Sequence, residues 1–264
     1  MTSALLIDLD GVVYQNNRLI DGALDALAWF HERQVPYLFV TNTTSRSRAT
    51  LVKRFSGFGF DVDIDELMTP IVAAREYLAS HSMRRLVSFV SDDASVDFDG
   101  FDQLPDTTTD PVDAVLIGDL GDAWDYARLN AAFRLLMQTP QPALIALGMS
   151  RYWRGPRGLQ LDVAPFVRAL ECAAGCEAVV VGKPARAFFE AALSRLQAPA
   201  AEVYMIGDDI HSDVGAAQDC GIHGIQVRTG KFRETDLDGD IRPDTMLDSL
   251  ADLPDWWLKT AGRN

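Results

Sequence analysis

Positive charge is scarce in this sequence: 24 lysines and arginines face 38 aspartates and glutamates, a formal net charge of −14 over 264 residues. Nucleic acid and anionic membrane surfaces are held by basic patches, so neither is an expected partner. Cysteine is equally sparse. Cys172, Cys176 and Cys220 are too few and too scattered for a disulfide framework, which points to a reducing compartment, the cytoplasm. Cys172 and Cys176 fall one helical turn apart, but with no His or further Cys beside them they make no complete zinc site and read as packing. No apolar run approaches the roughly 20 residues of a membrane span, and no charged leader precedes the strand-like residues that begin at Ala4. Neither G-x-x-x-x-G-K-[ST] nor a strand-linked G-x-G-x-x-G occurs, which excludes a P-loop and a dinucleotide fingerprint.

Apolar residues, by contrast, make up 48% of the chain, and its length suits two domains. Short apolar runs of the kind buried in parallel sheets alternate with helical periodicity. Ala4–Asp8 (ALLID) is followed by a helix over 21–34, Tyr37–Val40 (YLFV) and a helix from Ser45 or Ser47 to about Ser56. A middle stretch repeats the alternation, with strands expected at 85–90, 113–117 and 142–147 and helices at 124–138 and 164–174. The last third resumes the first style, with Ala178–Val181 (AVVV), a helix over 187–196, Val203–Ile206 (VYMI), a helix over 212–220 and Gly224–Val227. The expectation is an α/β protein: a doubly wound, Rossmann-like parallel-sheet core from residues 1–70 and 180–264, with an inserted α/β cap at 71–179.

Ligands in such folds bind beyond the carboxyl ends of the strands. Four polar clusters stand there: Asp8-Leu9-Asp10-Gly11, Thr41-Asn42, Gly182-Lys183-Pro184, and Gly207-Asp208-Asp209 with Asp213. One acidic pair in a turn is ordinary turn chemistry; four clusters, each after a strand, are not. Carboxylates of the first and fourth clusters repel one another unless a hard cation separates them, and all-oxygen ligands suit Mg²⁺. The metal would leave one Asp8 oxygen free to attack phosphorus, while Thr41 and the Lys183 ammonium hold phosphoryl oxygens. Asp10 can protonate the leaving oxygen and then deprotonate the attacking water.

The order DxDG…TN…GKP…GDDxxxD resembles the haloacid dehalogenase superfamily of phosphatases. The gap of about 140 residues between Asn42 and Lys183 resembles its subclass with a large α/β cap inserted between the second and third motifs. FVTNTTSRS, SRYWRGPRGLQLDVAPFVRALECAAG, VVGKPARAFFEAAL and MIGDDIHSDVGAAQDCGIHGIQVRTGKFRETD resemble its phospholysine, phosphohistidine and inorganic-pyrophosphate phosphatase branch and hydrolase-like relatives. The resemblance implies that Asp8 is nucleophile and metal ligand. It implies that Asp10 gives a backbone carbonyl to the metal, that Asp208 is a further ligand, and that Thr41, Asn42 and Lys183 hold phosphate. Asp209 and Asp213 stay open, one of them orienting Lys183 or a metal-bound water. Vertebrate members of that branch carry Ser where this chain has Asp10, which loosens any transfer of their substrate.

His211 lies inside the fourth cluster but has no vacant role. Asp236–Asp240 fails the calcium-loop pattern, with Ile241 at the sixth position and Leu247 at the twelfth. Trp256 and Trp257 read as closing a core. Arg151, Tyr152 and Trp153 form the candidate specificity stretch of the cap, with charge for anionic groups and rings to stack on a leaving group. The expected activity is hydrolysis of a small phosphorylated substrate, with phosphoamides and pyrophosphate as variants; a homodimer is left open. A receiver module is half this length and its acidic pair precedes the phosphorylated Asp, and a relic would have lost one of Asp8, Asp10, Lys183 or Asp208.

Overall fold

The apolar runs pair into two parallel sheets. A computed structural model describes residues 3–15, 17–155 and 158–260, without the side chains of residues 153–155. The chain divides into two compact units. The first comprises Met1–Thr41, Val52–Met68 and Lys183–Asn264, and the second Asn42–Leu51 and Thr69–Gly182.

The first unit is built on a six-stranded sheet in the order Thr245–Leu247, His223–Val227, Val203–Gly207, Ala4–Asp8, Tyr37–Val40, Leu67–Met68. Every pairing is parallel. Ala4–Asp8 and Tyr37–Val40 are buried along their whole length, as a strand covered on both faces must be. Burying each of Leu5, Leu6 and Ile7 contributes about 1.5–3 kcal/mol. From Ala4–Asp8 the chain moves outward in one direction through Tyr37–Val40, and after residue 203 in the other. The order therefore reverses between Ala4–Asp8 and Val203–Gly207, and the carboxyl ends of those two neighbours carry Asp8 and Asp208. Helix Ala23–Glu32 packs on the C-terminal helix Leu253–Lys259, where Phe30 meets Trp257 edge-on at 5.5 Å. Tyr204 takes both Trp256 and Trp257 edge-on, at 5.3 and 5.7 Å, so the tryptophan pair closes this core.

The second unit has a five-stranded parallel sheet in the order Val179–Val180, Ala143–Ala146, Ala114–Ile117, Arg85–Phe89, Asp102–Gln103. Helices Tyr126–Leu136 and Val163–Ala174 pack together against it. Asp125 caps the first of these helices through Arg128 N–H, and Gly175, at φ 64°, ends the second. Trp124 is stacked between Phe89 and Phe166, at 5.6 and 4.6 Å. Tyr152–Gly155 and Gly158–Leu161 form a separate antiparallel hairpin.

Two placements differ from the sequence reading. Val179–Val180 looks like a strand of the first sheet, but it pairs with Ile145 and Ala146 of the second, so the first unit resumes at Lys183 rather than 180. Residues 42–51 also pack with the second unit, because that unit caps them. Asp93 takes Ser47 N–H (3.1 Å), Ser47 Oγ (2.9 Å) and Thr50 Oγ1 (2.9 Å), and Asp97 takes Arg48 N–H (2.8 Å). Four carboxylate bonds thus collect at the start of helix Arg48–Gly57, where the helix N-terminus is electropositive.

Candidate active site

Lys183 lies at the centre. Its side chain is buried, and Nζ donates to Asp8 Oδ1 at 2.6 Å and to Asp213 Oδ1 at 2.7 Å. Burial alone would push the amine down, but Asp213 and Asp8 more than reverse this and hold the ammonium above the ordinary lysine range. Asp213 also accepts the Asp209 amide through Oδ2 (3.2 Å), so both its oxygens are engaged. The backbone at Gly207 runs against it so closely that a Cβ there would fall 2.2 Å from the Asp213 Cβ.

Asp208 is buried too, at the end of the neighbouring strand. Its Oδ2 accepts the Lys231 amide at 2.7 Å, and Gln226 Nε2 donates to its backbone carbonyl at 2.9 Å. Oδ1 has no hydrogen-bond partner among the described residues. Burial and the nearby Asp213 push this carboxyl up to about 6. Burial likewise raises Asp8; Lys183 opposes that rise, while Asp213 and Asp208 add to it.

Two carboxylates thus hold one buried ammonium with a third close by, and one oxygen of each of Asp8, Asp208 and Asp213 lies within 4.8 Å of the others. That excess of negative charge, together with the orphaned Asp208 Oδ1, fits a hard divalent cation with oxygen ligands. Asp213 is poorly suited to be a ligand, because Lys183 and the Asp209 amide already occupy it.

Asp10 stands exposed in the turn after Asp8, where Gly11 N–H donates to Tyr14 O at 2.7 Å. Burial of its surroundings raises its carboxyl, with Arg54, Lys231 and Lys183 acting in the other direction. The Arg54 guanidinium lies 3.7 Å over the ring of buried Tyr14. Thr41 is buried directly after Tyr37–Val40, its amide donating to Met68 O at 3.2 Å.

Asp209 is engaged elsewhere. Its Oδ1 caps the following turn by accepting the His211 and Ser212 amides (3.1 and 3.0 Å), and its Oδ2 lies 3.6 Å from Lys231 Nζ. Burial pushes its carboxyl up, but these amides and Lys231 bring it below its ordinary value. The helix expected over 212–220 opens as a wide turn over Ile210–Gly215, in which Val214 N–H reaches back five residues to Asp209 O (3.4 Å). That widening carries Asp213 under Lys183.

Asn42 belongs to the second unit, as do Arg151 and Tyr152. The last two are exposed, with the Arg151 guanidinium 5.8 Å from the Tyr152 ring centre, and they line a groove with Met149, Leu161 and Arg168. The Trp153 side chain lies outside the described residues.

Sequence reading missed Thr229, Gly230 and Lys231. Their signal was available: they follow Gly224–Val227, a strand already recognised, at the carboxyl end of the strand next to Val203–Gly207.

Known proteins place the same segments together. A haloacid dehalogenase-like hydrolase model matches residues 5–100, and a HAD-hydrolase-like model matches 180–253. Human phospholysine phosphohistidine inorganic pyrophosphate phosphatase is 38% identical, covering 98% of this chain and 95% of its own. Bovine haloacid dehalogenase-like hydrolase domain-containing protein 2 is 40% identical, covering 89% of this chain and 87% of its own. A p-nitrophenyl phosphatase structure from Archaeoglobus fulgidus superposes with a TM-score of 0.88 at 24% identity, covering 97% of this chain and 99% of its own. NagD from E. coli K-12 gives 0.85 at 23%, covering 96% and 98%. At such identities these structures speak to the fold; the relatives that align along nearly the whole chain settle its kinship. The chain belongs to the haloacid dehalogenase-like hydrolase family.

Proposed function

We propose that the protein is a Mg²⁺-dependent phosphatase that hydrolyses a small phosphorylated substrate through a phosphoryl group carried on Asp8. The observation that carries this reading is the Asp8–Lys183–Asp213 chain beside the orphaned Asp208 oxygen. It combines a held carboxylate, a buried amine paired with two carboxylates, and a carboxylate oxygen with no hydrogen-bond partner among the described residues.

Asp8 and Asp208, with the Asp10 carbonyl, would hold Mg²⁺, whose charge when bound offsets that of the carboxylates and of the phosphate. Lys183, Thr41 and Asn42 hold the phosphoryl oxygens. A carboxylate oxygen of Asp8 forms the new bond to phosphorus as the bond to the leaving oxygen breaks, and Asp10 gives that oxygen its proton. In the second half Asp10 takes a proton from water as the water oxygen bonds phosphorus. The bond to Asp8 then breaks, releasing phosphate and restoring the carboxylate. Asp10, exposed in the turn two residues after Asp8, is placed to give up a proton and then recover it.

Phosphoamides and pyrophosphate enter the substrate set through the curated relatives' names, and Asp10 can protonate a leaving nitrogen as well as an oxygen. The second unit is assigned the choice of leaving group, with Arg151, Tyr152 and Trp153 as its recognition stretch. The cytoplasm is the proposed compartment, in keeping with Cys172, Cys176 and Cys220, all free thiols; no described helix is long and apolar enough to cross a membrane.

The test is Asp8→Asn, assayed on a panel of sugar phosphates, nucleotides, phosphoamides and pyrophosphate with Mg²⁺. Wild type should release phosphate and show an acid-quenched, hydroxylamine-sensitive protein phosphate. The variant should show neither. A variant within tenfold of wild type would remove Asp8 from the role.

A further inference from the structure

The loop after strand His223–Val227 has no part in the scheme above, yet it packs closely around Asp208. Gly230 and Gly11 both have positive φ, +68° and +90°, and an ideal Cβ on either would fall 2.0 Å from Asp208 Oδ2. The two glycines also approach each other. A Cβ on Gly230 would lie 2.7 Å from Gly11 Cα, and one on Gly11 would lie 2.9 Å from Gly230 Cα. Only residues without a Cβ can bring two backbones this close around a carboxylate.

Lys231 N–H donates to Oδ2 at 2.7 Å, a charge-assisted bond with a main-chain donor that cannot swing away. The Thr229 hydroxyl donates to the Gly11 carbonyl, which ties this loop to the Asp8–Asp10 turn. Gln226 holds the Asp208 carbonyl from below. Oδ2 thus accepts the Lys231 amide between two close glycine backbones, whereas Oδ1, on a residue 2% exposed, has no hydrogen-bond partner among the described residues. A buried orphan acceptor is costly unless something else completes it.

We propose that Thr229-Gly230-Lys231 is a positioning clamp: it commits one Asp208 oxygen to the backbone and thereby reserves the other for the divalent cation. The proposal rests on the reading in which Asp208 holds that cation. Thr229 and Lys231 have no part in the bond-making steps proposed above; in this role they act through Asp208. The two backbone contacts have separable roles. The Lys231 amide chooses the oxygen, and the Thr229 hydroxyl fixes the distance between the two loops.

The experiment is calorimetric titration of MgCl₂ into the full chain without substrate, paired with turnover as a function of Mg²⁺ concentration, on melt-checked variants. Thr229→Val keeps the shape and removes the hydroxyl bond. It should weaken Mg²⁺ about fivefold while kcat at saturating Mg²⁺ stays within about twofold, and Thr229→Ser should restore binding. Lys231→Pro removes the amide donor and should weaken Mg²⁺ about tenfold or more. Lys231→Ala keeps the amide and removes a positive charge, so Mg²⁺ should bind no more weakly than in wild type. Asp208→Asn should lose Mg²⁺ binding. If it does while Thr229→Val and Lys231→Pro bind Mg²⁺ as wild type does, the clamp is overturned and the reading of Asp208 survives. If Asp208→Asn binds Mg²⁺ normally, that reading fails and the clamp with it. Should Lys231→Pro not fold, Thr229→Val and its serine rescue decide the matter alone.

Discussion

Asp213→Asn is the substitution that most directly probes how Lys183 is held. In wild type Asp213 works with both oxygens, Oδ1 toward Lys183 Nζ at 2.7 Å and Oδ2 toward the Asp209 amide at 3.2 Å. Asparagine has one acceptor and one donor. Whichever way its amide is turned, an N–H group faces either the ammonium or the Asp209 N–H. Reorientation is blocked, since the Gly207 backbone lies against the side chain. The gross attraction between unit charges at this distance is about 6 kcal/mol with an effective dielectric constant of about 20. Part of that returns, because Asp213 also repels Asp8 and Asp208. A net loss of about 2–3 kcal/mol is expected, within the range for a buried polar pair deprived of one partner.

If that loss falls on the ammonium that holds the phosphoryl oxygens, kcat drops about 30- to 150-fold. The pH profile gives a second, independent reading. Lys183 is held above the ordinary lysine value by Asp213 first and Asp8 second, so wild type keeps its ammonium well into the alkaline range. Stability from this raised group is fully present below the unfolded lysine value of about 10.4 and is lost only as pH rises through the higher folded value. Removing Asp213 lowers the folded value, so the alkaline limb of kcat must move to lower pH. The assay is kcat at saturating Mg²⁺ and substrate from about pH 6 to about pH 10, with thermal melts at each point; wild type should show no alkaline loss from Lys183 in this window, and the variant should show one toward its upper end. A variant with kcat within threefold of wild type and an unmoved alkaline limb would refute the assignment of Asp213 as the residue holding Lys183.

Three further outcomes are expected. Chelation should abolish turnover and Mg²⁺ restore it, whereas Ca²⁺ should inhibit, because its larger and more numerous coordination ties up Asp8; full activity in excess chelator would sink the mechanism. Asp93→Ala should cost the second unit about 1–2 kcal/mol by uncapping helix Arg48–Gly57. Burial pushes Asp93 up, but Ser47 and Thr50 hold it below the usual carboxylate value, so its contribution is present above about pH 4 and fades as pH falls through the folded value. Melts that differ from wild type equally at pH about 7 and about 2 would contradict this. Arg151→Ala should raise KM several-fold for bulky phosphate esters and leave acetyl phosphate nearly untouched; equal losses on both would mean damaged folding rather than lost recognition.

The parallel β–α architecture and the identity of the central charged residues were legible in the sequence because both depend on local signals. Ala4–Asp8, Tyr37–Val40 and Val203–Gly207 are short, mainly apolar runs with polar residues at or just beyond their ends, and a strand buried on both faces has little other way to be written. What stayed hidden was set by pairing between distant segments. AVVV has the composition of a core strand, and only its register with Ile145 and Ala146 shows which sheet it joins. Asp209 and Asp213 could not be told apart by spacing, since the wide turn at Ile210–Gly215 decides which carboxylate reaches Lys183. Thr229–Lys231 went unnoticed although it follows a recognised strand, because its contact with Asp208 is a main-chain amide and a missing Cβ, which no side chain announces.

The packing of residues 42–51 with 69–182 bears on how this protein can be recombined. A chimera that takes its middle region from a relative and splices at 69 and 182 would import foreign residues at positions 93 and 97 while keeping the native 47, 48 and 50. The start of helix Arg48–Gly57 would then face whatever the donor places there, and its amides would lose carboxylate acceptors unless the donor supplied them. The transferable module is therefore two discontinuous pieces of chain. Grafts that carry 42–51 along with 69–182 should express and melt like the parents, and grafts of the single long piece should not.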